Sequence, residues 1–151
     1  MLRNLEYTQG DVILTCETIY GACDRTVQYI CETTAAETVH YVFKEPMTES
    51  DLIDGFREKI RQVHAESDGK RRVKVAIFDT IASMPGVRWP WEQLVQVCKE
   101  EGVFSCVDGA HGIGAIDLNL GETDPDFFVS NCHKQVESLS SCPIYARRMM
   151  C

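Results

Sequence analysis

The chain has 151 residues, which fits one ordinary domain and leaves no room for two full-sized ones. Its 15 lysines and arginines against 23 aspartates and glutamates give a formal net charge of −8, which argues against a nucleic-acid binder because contact with phosphates requires a cationic face. No apolar run reaches the roughly 18 residues of a membrane span, and residues 1–6 lack the apolar core of a secretion signal. We therefore expect a cytoplasmic globular protein without membrane contact.

The cysteines are numerous but are not arranged as metal ligands. Eight cysteines occur, and no two of them have Cys-x-x-Cys spacing. Because a cytosolic chain keeps its thiols reduced, we expect most of them to pack as small hydrophobic side chains. A cysteine-rich zinc protein is the alternative that this spacing disfavours, and we predict no metal site.

The first half of the chain alternates between short apolar runs and helical stripes. Strands are predicted over residues 11–16 and 38–43, because both runs are short and rich in β-formers. A helix is predicted over residues 19–31, where apolar residues recur on one face. A second helix is predicted to open at residues 48–51, where a threonine cap precedes an acidic first turn.

The same alternation continues in the second half. Strands are predicted over residues 73–78, 103–107 and 126–130, with a turn over residues 121–125. A helix is predicted from Pro90, as its first residue, to a cap at Gly102. Repeated strand–helix units indicate an α/β fold of three layers, with a mainly parallel sheet between helices.

Residues able to carry chemistry follow two of these strands at the point where each ends. Asp108 follows the strand at residues 103–107, and Lys134 follows the strand at residues 126–130. The carboxyl ends of parallel strands meet at one edge of a sheet, where functional groups gather. An amine that can form a Schiff base and an acid that keeps a pyridinium nitrogen protonated suit pyridoxal 5'-phosphate. The structural alternatives are an Asp108 that caps a turn, a loop His111 and a solvated Lys134.

Three stretches taken together resemble the class V aminotransferases, which are fold-type I pyridoxal-phosphate enzymes. They are residues 78–90 (FDTIASMPGVRWP), residues 107–114 (VDGAHGIG) and residues 124–134 (DPDFFVSNCHK). Within that family the chain looks most like the isopenicillin N epimerase-like and hercynylcysteine sulfoxide lyase-like branch. The resemblance implies pyridoxal 5'-phosphate as the cofactor, an amino-acid substrate and a homodimeric family.

The resemblance also implies roles for individual residues. Lys134 resembles the catalytic lysine that holds the cofactor and acts as the base, and Asp108 resembles the partner of the pyridine nitrogen. His111 resembles the residue that approaches the cofactor ring. Arg88 is a candidate for binding a substrate carboxylate. The remaining expected cofactor contacts are His133, Ser130 and Ser83.

The chain departs from the family in length and at its end. We expect residues 1–134 to be part of the large, cofactor-binding domain and residues 135–151 to be a divergent tail that arises from the gene model or from splicing. The family's phosphate-binding turn and small domain are not found in this sequence, so we expect the isolated fragment to be inactive. The resemblance leaves transamination, epimerisation and C–S cleavage open. The alternative function is that of a non-catalytic truncated homologue that binds a full-length relative.

Overall fold

The computed structural model describes residues 1–43, 46–131 and 144–146, the last three as backbone only. Helices and strands alternate in this part of the chain, and 3-10 turns lie at Leu2–Asn4 and Glu66–Gly69. The strands are β1 (Asp11–Cys16), β2 (Glu37–Tyr41), β3 (Arg72–Asp79), β4 (Phe104–Asp108), β5 (Phe127–Val129) and β6 (Ile144–Ala146). The helices are α1 (Gly21–Thr33), α2 (Glu49–Ala65), α3 (Trp91–Glu101) and α4 (Leu120–Thr123).

The described strands form one sheet in the order β2-β1-β3-β4-β5-β6. The pairs from β2 to β5 are all parallel, and β6 joins β5 antiparallel. The chain runs from β1 outward to β2, then crosses back to β3 and continues in the other direction. The neighbouring strands β1 and β3 therefore mark the point where the strand order reverses, which is where open α/β sheets bind ligands.

Helices cover both faces of the sheet, so the central strands are apolar on both sides. In β1, Val12, Ile13 and Leu14 are all fully buried, as expected of a parallel strand between two helical layers. Helices α2 and α3 cover the larger apolar cluster, which includes Phe56 and Trp91. Helix α1 covers the smaller cluster on the opposite face.

Local capping explains where two of the helices begin and end. At the start of α2, Thr48 Oγ1 accepts a hydrogen bond from the backbone N–H of Asp51 at 3.1 Å, and the Thr48 N–H donates to the Asp51 carboxylate at 3.0 Å. The threonine cap that the sequence predicts is therefore present, and the reciprocal bond from Asp51 makes it a capping box. At the end of α3, Gly102 adopts a left-handed backbone with φ of 69°, which glycine favours.

The α/β class and the parallel sheet predicted from the sequence are confirmed, and two local predictions are wrong. Pro90 is the cap that precedes α3 and not its first helical residue. Residues 120–123 form the short helix α4 where a turn is predicted, because the Asn119 side chain accepts a hydrogen bond from the Glu122 N–H at 3.2 Å and starts a helical turn. Four residues are too few to leave a periodic pattern.

In the described part of the chain, no helix is long and apolar enough to cross a bilayer. The burial of Cys16, Cys98 and Cys106 confirms that these thiols pack as small hydrophobic groups.

Candidate active site

The candidate site begins with Asp108, the last residue of β4. Its Oδ1 atom accepts a hydrogen bond from the backbone N–H of Ala110 at 2.9 Å, and its Oδ2 atom accepts one from the Cys23 thiol at 3.3 Å. The first bond closes a tight turn directly after the strand. Asp108 therefore does cap a turn, as the structural alternative predicts, and the second bond ties the same carboxylate to the start of α1.

The turn after Asp108 is fixed to the end of β5. The Gly109 N–H donates to the Val129 carbonyl at 2.6 Å, and the Ser130 hydroxyl donates to the Gly109 carbonyl at 2.6 Å. A Cβ atom on Gly109 would overlap the ring of Phe128, so only glycine fits this close approach. The ends of β4 and β5 are thus held in one arrangement, with Ser130 buried at their junction.

The end of β3 lies beside that of β4. Asp79 and Asp108 are register partners on these two strands, and the Thr80 N–H donates to the Asp108 carbonyl at 2.9 Å. Gly112 lies so close to Thr80 that a Cβ atom would come 2.8 Å from the Thr80 hydroxyl. Backbone contacts therefore bring three consecutive strand ends together at one edge of the sheet.

A cavity of about 220 Å³ opens at this edge, between the start of α1 and the ends of β3, β4 and β5. Four of the residues that the sequence predicts as cofactor contacts line it together: Ser83, Asp108, His111 and Ser130. Ser83 is exposed, His111 is half-buried, and the Ser130 hydroxyl bonds to the turn. The structure thus brings the described members of the predicted set to one place.

Of the other predicted residues, two lie outside the described part of the chain and one lies elsewhere in the structure. His133 and Lys134 lie outside the described residues, so their predicted roles remain predictions. Arg88 lines a separate, larger cavity of about 580 Å³ and pairs with Glu92 at 2.6 Å. The structure gives no support to Arg88 as a neighbour of Asp108.

Two of the aromatic and polar side chains that line the cavity were not predicted from the sequence. Tyr20 and Cys23 line it, and they come from the loop and the first turn that follow β1. Tyr20, which is 49% exposed, adds an aromatic residue to the lining of the cavity. The end of β1 at Cys16 points to this edge of the sheet, because parallel strands next to β3 end at the same edge, but it does not single out Tyr20 or Cys23. Asp79, which does lie at a predicted strand end, also lines the cavity.

The buried thiols beside the site are held in their neutral form. Burial, together with the smaller effect of the nearby Asp108 carboxylate, raises the pKa of Cys106 to about 12. Burial also raises the pKa of Cys16 well above its ordinary value, with Asp79 acting in the same direction. Because the thiolate is the reactive form of cysteine, these two side chains serve packing rather than chemistry.

The side chains around the cavity suit a small aromatic ring that carries a protonated nitrogen. Among the residues that line the cavity, Asp108 provides an acid, Tyr20 an aromatic group, and Ser83 and His111 polar groups. These are the groups that pyridoxal phosphate needs around its ring. The described residues therefore fit this cofactor by the chemistry of their side chains.

Comparison with family models gives one match over most of the chain. Residues 4–137 match the model described as "Aminotransferase class-V". The matched segment contains every residue of the predicted site, including His133 and Lys134.

Curated relatives are longer than this chain. The "L-cysteine desulfhydrase-like protein lolT1" of Epichloe uncinata is 40% identical over 134 residues, which are 89% of this chain and 29% of that protein. The "Hercynylcysteine sulfoxide lyase" of Schizosaccharomyces pombe is 30% identical over 146 residues, which are 95% of this chain and 35% of that protein. The chain thus spans about a third of the length of these relatives.

Solved structures share the fold. A complex of the cystine C–S lyase C-DES with its reaction product cysteine persulfide superposes with a TM-score of 0.80 at 18% identity, over 95% of this chain and 37% of that one. A cysteine desulfurase from Thermococcus onnurineus NA1 gives a TM-score of 0.75 at 20% identity, over 94% of this chain and 33% of that one. At these identities the likeness establishes the fold alone.

Proposed function

The chain belongs to the aminotransferase class-V family, whose members use pyridoxal phosphate. We propose that its residues line the site for the cofactor ring in an enzyme that cleaves a C–S bond in an amino acid. The observation that carries the proposal is the cavity at the ends of β3, β4 and β5, where Asp108, His111, Ser83 and Ser130 meet. The complete catalytic unit, as in the longer relatives, would include further protein segments beyond those described here.

The chain's own residues would have separate tasks in such a site. When bound, pyridoxal phosphate supplies an electron sink for the substrate's α carbon. Asp108 would hold the ring nitrogen in its protonated form, because a carboxylate stabilises a neighbouring cation. Its two hydrogen bonds, from Ala110 and Cys23, fix the carboxylate before any ligand arrives. Lys134 would bind the cofactor covalently and move the proton at the α carbon.

The choice of C–S cleavage rests on the relatives. The two curated proteins described above are named as an L-cysteine desulfhydrase-like protein and a hercynylcysteine sulfoxide lyase. Both names contain a sulfur-containing amino acid, which is L-cysteine in the first and hercynylcysteine sulfoxide in the second. We therefore propose a sulfur-containing amino acid as the substrate class, in preference to transamination or epimerisation.

The proposal is tested by adding pyridoxal phosphate to the purified chain and recording its visible absorbance. A lysine-bound cofactor absorbs in the visible, so we expect a saturable band that is lost in Lys134→Ala. Lys70→Ala is the matched control, because Lys70 is exposed at the opposite end of the sheet, before β3, and its loss should leave the band unchanged.

Two results would contradict the proposal. One is the absence of any saturable band at excess cofactor. The other is a band that is reduced equally by Lys70→Ala and Lys134→Ala, which would indicate reaction with surface lysines. Either result would favour the alternative of a non-catalytic homologue that binds a full-length relative.

A further inference from the structure

The two oxygens of the Asp108 carboxylate are held by donors of different strength. The backbone N–H of Ala110, from the same turn, reaches Oδ1 at 2.9 Å. The thiol of Cys23, 85 positions away in the sequence, reaches Oδ2 at 3.3 Å. Cys23 lies in the first turn of α1 and lines the same cavity as Asp108. The thiol is therefore a tertiary contact to the one carboxylate of the site that the proposed function assigns to the cofactor.

We propose that Cys23 is a positioning residue that orients the Asp108 carboxylate toward the ring nitrogen of pyridoxal phosphate; this inference rests on the proposed function. Cys23 acts through Asp108. In the described part of the chain, the Cys23 thiol is the one group of α1 that bonds to Oδ2. Without it, the carboxylate can turn about its last side-chain torsion.

A thiol suits this task because it is a weak donor. A carboxylate oxygen has two lone pairs, so Oδ2 can accept from Cys23 and still accept from a second donor in the cavity. A lysine or arginine at this place would neutralise the carboxylate and compete with a pyridinium nitrogen for its charge. The thiol fixes the direction of the carboxylate and leaves its charge available.

The neighbouring cysteine of the same helix provides a matched control. Cys31 lies two turns further along α1, is half-buried like Cys23, and packs against the smaller apolar cluster. It does not line the cavity. If Cys23→Ala lowers the cofactor affinity only by disturbing the packing of α1, Cys31→Ala should lower it as much. If the effect passes through Asp108, only Cys23→Ala should lower it.

The thiol–carboxylate contact can be measured without cofactor. Iodoacetamide reacts with the thiolate, which a neighbouring negative charge disfavours, so Asp108→Asn should speed the alkylation of Cys23 about threefold or more. Peptide mass spectrometry reports the rate at Cys31 in the same sample, and that rate should stay unchanged. An unchanged rate at Cys23 would overturn the inference. So would equal acceleration at both cysteines, because that result indicates a loosened fold rather than a specific contact.

The positioning role is measured by the affinity for pyridoxal phosphate. Because the thiol is a weak donor, the loss of its hydrogen bond predicts about fivefold weaker binding in Cys23→Ala, as for an ordinary rather than a charge-strengthened bond. Cys23→Ser keeps a donor and should restore most of the affinity, and Cys31→Ala should bind as the unmodified chain does. In an Asp108→Asn background the effect of Cys23→Ala should disappear, because the two residues act as one unit.

The results separate the inference from the function on which it rests. Normal binding by both Cys23→Ala and the unmodified chain would overturn the positioning role alone. An equal loss in Cys23→Ala and Cys31→Ala, or a loss that persists in the Asp108→Asn background, would overturn it as well. No binding by the unmodified chain would overturn the proposed function and the positioning role together.

Discussion

Gly109 is the residue at which the fold and the candidate site depend on each other most directly. It follows Asp108, and its N–H and its carbonyl both form hydrogen bonds at the carboxyl end of β5. It also lies so close to the Phe128 ring that no side chain fits between them. Phe128 is itself buried against Trp91, with ring centroids 6.1 Å apart, so it has little room to move.

We predict that Gly109→Ala lowers the free energy of unfolding by about 3 kcal/mol, because the new methyl group must displace a packed aromatic ring. Urea denaturation measures the effect. Gly21→Ala is the control, since a Cβ at Gly21 meets nothing within 4 Å and alanine is tolerated at a helix start. Equal stability of the two variants would show that the Phe128 ring leaves room for a methyl group at position 109.

At the residue scale, the sequence predicts the part of the site that lies directly at strand ends. Asp108 and Ser130 end or follow predicted strands, and the structure places them together. Tyr20 and Cys23 could not be found in this way, because four residues of loop separate the end of β1 from α1. Their place in the cavity is set by how α1 packs on the sheet, which no local pattern records.

Helix α2 is an element whose start is determined by a few neighbouring residues. Thr48 and Asp51 form a reciprocal cap at its first turn, and the apolar stripe behind it is buried against the sheet. The sequence predicts this start because the capping residues and the stripe are all local. Helix α4 has no such stripe. Its start is capped by the Asn119 side chain, which accepts a bond from the Glu122 N–H and donates one to the Glu122 carboxylate, so its helical character is visible only in the structure.

We predict that Thr48→Ala destabilises the protein by about 1 kcal/mol, because it removes the acceptor for an orphan N–H at the start of α2. Thermal or urea denaturation measures the loss. Ser50→Ala is the matched control, since Ser50 is an exposed residue of the same first turn and is not the cap. An equal loss in both variants would show that the cap contributes nothing specific.

On the scale of the whole molecule, a cluster of ion pairs and the candidate active site lie at opposite ends of the sheet. At the amino end, the buried Asp11 carboxylate pairs with Arg72 at 2.7 Å and Lys74 at 2.9 Å, and accepts a bond from the Thr8 N–H at 2.8 Å. Burial alone would raise its pKa, but the bonds from Thr8, Arg72 and Lys74 outweigh that effect and hold the pKa well below its usual range. This cluster therefore ties the starts of β1 and β3 together.

A depressed pKa has a defined effect on stability. The contribution of Asp11 is fully present above the unfolded-state pKa of about 4 and is lost as the pH falls through the folded-state value. We predict that Asp11→Asn lowers the free energy of unfolding by about 2 kcal/mol at neutral pH, and that its difference from the unmodified protein shrinks steadily below about pH 4.

Denaturation series between neutral and acid pH test that prediction. Asp54→Asn is the control, because Asp54 is an exposed carboxylate of α2 and its replacement also removes one negative charge. If the cost of Asp11→Asn is the same at every pH, or if Asp54→Asn behaves alike, the depressed pKa of Asp11 does not stabilise the fold.

We propose that Asp108 and Lys134 of this chain hold the same molecule of pyridoxal phosphate. The most direct measurement is to incubate the chain with the cofactor, reduce it with borohydride and map the pyridoxyl group by peptide mass spectrometry. We expect a label on Lys134 that falls sharply in Asp108→Asn. A label spread over surface lysines such as Lys59 and Lys70, or one on Lys134 that is indifferent to Asp108→Asn, would contradict it.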